Sequence, residues 1–69
     1  MSQEIRNKLA KNIAKYRIKK HLKKEELSLL LGFDNSYISK LEKSRINITI
    51  DKLQKIADFF EIDCYLLLK

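Results

Sequence analysis

The sequence predicts an all-α fold, five short helices closed around a single core, and three observations carry that expectation. Apolar residues return with a period near 3.6 along most of the chain, and the only strand-like alternation is in residues 45–49. Capping and stop residues cut this pattern into short segments with tight connections, without an internal repeat or a linker. The length of 69 residues accommodates one domain, residues 1–69, and excludes two, since a chain this short buries only about 60% of its unfolded surface.

Helix 1 is predicted over residues 4–20, where Ile5, Leu9, Ile13 and Tyr16 share one face and lysines cover much of the rest. His21 stands at its end, where a polar or cationic ring suits the negative pole of the helix dipole; it reads as a helix terminus rather than a ligand or catalytic group. Helix 2, residues 24–31, has Glu25 and Glu26 in its first turn and Gly32 just past its end. Asp34 is the expected N-cap of helix 3, residues 35–43, with Ile38 and Leu41 pointing inward. Residues 44–47 are polar enough for a loop. Thr49 is expected to cap helix 4, with Asp51 in the first turn and Leu53, Ile56, Ala57 and Phe60 as the buried stripe. Asp63 is expected to cap a last turn or two that ends at Leu68.

Composition removes several classes of protein. Apolar residues at 45% are too many for a disordered basic tail. One Cys and one His allow neither an internal disulfide nor a zinc site, so no metal and no cofactor is expected. No nucleophile–base pair is present, so the chain does not read as an enzyme and no catalytic residue is assigned. Cys64 reads as a small core residue, because there is no second cysteine to resolve an oxidised one. The longest apolar run, residues 29–31, is far short of the roughly 18 residues of a membrane span. Closely spaced charges near the N-terminus are unlike a secretory signal, which points to a cytoplasmic protein with no membrane partner.

The net charge of +6 is unevenly placed. Residues 1–24 hold nine basic side chains against Glu4 alone, whereas residues 25–69 hold six basic and eight acidic ones. Such asymmetry points to a polyanionic partner, a nucleic acid or an acidic membrane surface, with a solvated helix face as the plain alternative.

Residues 24–43 are the informative stretch. Two short helices that cross at about 90–120° through a 3–4-residue turn need a small residue at the crossing, a turn residue tolerant of positive φ, and apolar anchors on both helices. Ser28, Gly32 and the set Leu27, Leu31, Ile38 and Leu41 meet these needs.

On these residues the chain resembles the Cro/CI-type, lambda-repressor-like helix-turn-helix family, and the likeness runs over residues 6–68. Leu22, Lys23, Lys24, Glu25, Glu26, Leu27 and Ser28 stand where the family has a Leu-Ser-Gln-Glu-Glu-Leu-Ala type of run. Tyr37, Ile38, Ser39, Lys40, Leu41 and Glu42 are similar to its recognition helix, and Leu53, Gln54, Lys55, Ile56 and Ala57 to its fourth helix. The resemblance implies a pair between Arg17, late in helix 1, and Glu42, late in helix 3. It also implies double-stranded DNA as partner, read from the N-terminal part of helix 3. The base-reading candidates are Asn35, Ser36, Tyr37, Ser39 and Lys40, since Asn suits adenine, Lys suits guanine, and Ser suits either a base or a phosphate. Phosphate candidates are Arg17, Lys23, Lys24, Lys43, Arg45, Asn47 and Thr49. Departures from the family pattern carry expectations of their own. Lys23 replaces the usual Ser or Thr cap and Lys24 the usual glutamine, while His21 and Ser44 stand where glycine is common. Those two must take positive φ, at a cost of about 1 kcal/mol each, unless the loops differ.

Family members pair on half-sites about one helical turn apart, so a homodimer on an inverted repeat is implied, with Phe59, Tyr65, Leu66 and Leu68 as the contact. Residues 35–39 and 47–50 are similar to controller proteins of restriction–modification systems, and a phage or mobile-element repressor fits nearly as well. Leu29 and Leu30 look exposed on helix 2. They point either to a neighbouring loop or to a second protein partner, and so keep open an antitoxin or other protein-binding module.

Overall fold

The computed structural model describes residues 2–69 and contains α1 (Gln3–Lys19), α2 (Lys24–Leu30), α3 (Tyr37–Glu42), α4 (Ile50–Phe60) and α5 (Tyr65–Leu68). Residues 45–49 form a loop, and no strand occurs among the described residues. Helix α1 packs on α3 and α5, and α2 on α3, within a body of 27 × 22 × 21 Å. One core collects Leu9 and Ile13 of α1, Leu27 and Leu31 around α2, Ile38 and Leu41 of α3, and the α4 stripe. Leu67, rather than Leu66 or Leu68, carries α5 into that core. Asn12 Nδ2 donates to the Leu67 carbonyl at 2.9 Å and ties α5 to α1. Ile5 departs from the expected inward stripe and is 40% exposed, because the core does not reach the first turn of α1.

Caps explain where the helices begin. Ser2 accepts the Ile5 N–H at 3.1 Å, and Thr49 accepts the Lys52 N–H at 3.2 Å, as expected for Thr49. Lys23 is the N-cap of α2 and its ammonium has no acceptor to offer. The Glu26 carboxylate takes the Lys23 N–H at 2.8 Å instead and secures the start. Two expected caps are corrected. Asp34 does not cap α3; its carboxylate accepts the Ser36 hydroxyl at 2.6 Å and the Ser36 N–H at 3.4 Å. That local turn holds Asn35 and Ser36 outside the helix, which starts at Tyr37. Asp63 caps nothing with its side chain; Cys64 occupies the N-cap of α5, and only the Asp63 carbonyl is used, by the Leu66 N–H. Cys64 is half-buried at the core rim, with Sγ 2.9 Å from Gln54 Oε1, rather than inside the core.

One device ends all four longer segments. His21, Gly32, Ser44 and Glu61 take positive φ, 57°, 75°, 59° and 57°. At each, the next residue's N–H turns back onto the helix: Leu22 to Arg17, Phe33 to Ser28, Arg45 to Lys40 and Ile62 to Ala57. His21 and Ser44 thus meet the expectation set by the family's glycines, and Glu61 is a third such site that the sequence did not announce. Glu61→Gly is expected to raise stability by about 1 kcal/mol, because glycine removes the Cβ strain of the left-handed conformation. Urea unfolding followed by circular dichroism measures it, and a loss of stability would contradict the strain argument.

Candidate nucleic-acid interface

The crossing of α2 and α3 positions the site. Ser28 is wholly buried at the crossing. Its hydroxyl donates to the Lys24 carbonyl at 3.0 Å and accepts the Ile38 N–H at 3.0 Å, so it supplies a partner to one of the orphan donors at the start of α3. The sequence asked only for a small residue here, and the hydroxyl adds a cap delivered from the neighbouring helix. Ser28→Ala should therefore lower stability by about 1–2 kcal/mol, the penalty of a buried N–H left unpaired. Thermal unfolding tests this, and an unchanged midpoint would show that Ile38 finds another partner.

Arg17 and Glu42 lock α1 to α3. Arg17 Nε and Nη2 meet the two Glu42 oxygens at 2.7 and 3.2 Å, while Nη1 donates to the Leu22 carbonyl at 2.7 Å. With side-chain exposures of only 13% and 8%, the pair is a strut between helices. All three guanidinium nitrogens hold an acceptor within the chain, so the strut to Glu42 is the role this geometry shows for Arg17.

The turn before α3 presents the reading candidates. Asn35 and Lys40 are exposed, and their side chains make no hydrogen bond within the chain among the described residues. Ser36 is half-buried and spends its hydroxyl proton on Asp34, which leaves it as an acceptor. The Ser36 hydroxyl and N–H hold the Asp34 carboxyl below its ordinary value, with a further contribution from Lys40, so it stays ionised beside the start of α3. Ser39 is half-buried. Tyr37 is less free than the sequence suggests. Its ring sits edge-on to Phe33 at 4.8 Å between centroids, with the Lys52 ammonium 4.6 Å from its centre. Burial raises the phenol's pKa, so the hydroxyl remains a neutral donor. Lys55 lies over Phe33 at 5.5 Å and completes this cationic and aromatic corner under the turn.

The phosphate candidates Lys23, Lys24, Lys43, Arg45, Asn47 and Thr49 are all exposed. Thr49 accepts a backbone bond and keeps its O–H to donate. Arg6 Nη1 donates to Asn47 Oδ1 at 2.6 Å, a bond that uses the amide oxygen and none of the Asn47 N–H donors. Arg6 and Lys52 are cations the sequence reading passed over. Arg6 was legible in principle: it precedes Arg17 by eleven residues, close to three helical turns, and so shares the α3-facing side of α1. Lys52 owes its place to the packing of α4 against the turn, for which no sequence signal exists.

A crossed pair of short helices with the second presenting polar side chains defines a helix-turn-helix protein, and the helix-turn-helix family model matches residues 13–67. The chain belongs to that family. It is similar to a Neisseria hypothetical transcription factor from Neisseria meningitidis serogroup B (strain ATCC BAA-335 / MC58), with 35% identity over 66 residues. That match covers 96% of this chain and 62% of the relative, so the chain spans less than two thirds of the relative's length. The crystal structure of the hypothetical transcription factor NHTF from Neisseria superposes with a TM-score of 0.90 at 31% identity, covering all of this chain and 80% of that one. The similarity shows the five-helix arrangement to be that of a helix-turn-helix domain. No helix among the described residues is long and apolar enough to cross a membrane.

Proposed function

We propose that this protein is a sequence-specific regulator of transcription that binds double-stranded DNA as a homodimer on an inverted-repeat operator. The observation that carries the reading is the turn into α3. It is held rigidly from beneath by Ser28 and the Phe33–Tyr37 pair, yet leaves Asn35 and Lys40 exposed and uncommitted. Those two are the principal base readers, with Ser36, Ser39 and Tyr37 in supporting contact, and the exposed lysines, Arg45, Asn47 and Thr49 grip phosphates. A body 27 Å long reads less than the roughly 34 Å of one duplex turn, so selection of a genomic site calls for two copies. The naming of the Neisseria relative as a hypothetical transcription factor agrees with this reading.

Selection from random duplexes, repeated at several salt concentrations, is the test. An inverted repeat should emerge, with affinity falling steeply as salt rises; equal binding of every sequence would defeat the proposal. A restriction–modification controller and a phage or mobile-element repressor are the two finer readings. A neighbouring restriction endonuclease or methyltransferase gene separates them. The antitoxin reading retains one specific support, Leu29 and Leu30, each 61% exposed on α2. Isolation of the protein in stoichiometric complex with a toxin would favour it.

A further inference from the structure

The lysines of α1 have no place in the interface described above. Lys15 lies two residues from Arg17, which reaches α3, and so stands about 200° around the helix from it, on the far side. We propose that these lysines serve a second copy of the chain: the homodimer closes along α5 with the cationic groove of each copy set against the acidic groove of the other. The proposal rests on the homodimer reading and deepens it.

Two grooves carry the argument. One, of about 440 Å³, is lined by Asp58, Glu61, Ile62, Asp63 and Leu66. The other, of about 420 Å³, is lined by Lys11, Asn12, Lys15, Tyr16, Leu66 and Lys69. Leu66 belongs to both, so α5 forms a ridge with three acids on one flank and three lysines on the other. None of the six forms an ion pair among the described residues, where the pairs are Glu4–Lys8 and Arg17–Glu42; Asp58 accepts a bond from the Gln54 amide at 2.7 Å, and Lys15 lies over the Tyr16 ring. The ridge is also apolar. Tyr65 is 63% exposed, and Ile62, Leu66 and Leu68 are half-buried.

Symmetry then selects the arrangement. A twofold axis running along the ridge lays each acidic flank on the partner's cationic flank, twice over. An axis running across the ridge sets acid on acid and lysine on lysine. The first is attractive and self-complementary, and the second is repelled. Apolar contact at the ridge supplies the burial, and the flanking charges choose the register.

Charge exchange tests the register. One variant carries Lys11→Glu with Lys15→Glu, the other Asp58→Lys with Glu61→Lys. Sedimentation measures each alone and the two mixed, and circular dichroism checks the fold. Each variant alone should dissociate at least about tenfold more readily than the unaltered chain, since facing like charges repel. The mixture should recover a heterodimer. Variants that dimerise as well as the unaltered chain, or a mixture that does not recover, would overturn the register and leave the homodimer standing. An unaltered chain that stays monomeric at every concentration would overturn the homodimer reading itself. If an exchange unfolds the domain, Lys11→Gln with Lys15→Gln replaces it. That variant must lose the salt dependence of dimerisation, and an unchanged dependence would overturn the register.

Discussion

Arg17→Ala is expected to destabilise the domain by about 3 kcal/mol, the low end of the cost of removing one partner from a buried ion pair. The low end applies because both side chains keep an edge toward water. The loss has two sources. Glu42 would keep a carboxylate in a mostly buried position without its guanidinium, and the Leu22 carbonyl would lose the donor that secures the chain between α1 and α2. A single core of this size holds about 3–5 kcal/mol in all, so the variant should be largely unfolded under mild denaturant. Arg17→Met combined with Glu42→Leu should recover most of the loss, since an apolar pair of similar volume leaves no buried charge. Urea unfolding of the three proteins decides the matter. A loss below about 1 kcal/mol for Arg17→Ala would reduce the pair to an ordinary surface bridge.

Lys40→Ala should relax sequence selection at one or two base pairs and weaken binding to the preferred duplex by about 1–3 kcal/mol, roughly five- to 150-fold. Binding to unrelated duplexes should change little. Lys24→Ala gives the contrasting outcome. It is an exposed cation at the start of α2 rather than in the reading helix, so its loss should weaken all duplexes alike and lower the salt slope by about one. Fluorescence anisotropy on selected and scrambled duplexes separates the two patterns. A Lys40→Ala protein that selects the same sequence would take Lys40 out of the reading set.

The two predictions differ in how far the sequence leads to them. Family likeness implies the Arg17–Glu42 pair, and the structure adds a third bond, from Arg17 to the Leu22 carbonyl. Position in the motif points to the candidate reading residues. Which of them remain unengaged follows only from the bonds around Asp34 and the edge-on ring contact at Tyr37. Asp34 misled for a physical reason: an Asx side chain that can cap a helix can equally bond its own chain two residues on, and nothing in composition ranks the two. Leu67 was legible only as one of several adjacent leucines, since a one-turn helix gives too little periodicity to say which faces the core.

The sequence by itself determined the number of helices, the apolar faces of α2, α3 and α4, and the places where the chain leaves each of the first three. These follow from local chemistry: the period of burial, the caps, and residues forced into the left-handed region. Tertiary structure alone decided that Ser28 feeds a hydrogen bond to α3, that Lys52 lies over Tyr37, and that α5 separates an acidic groove from a cationic one. Each of these joins segments distant along the chain, and their meeting depends on how the helices pack in space, which no local pattern of residues encodes.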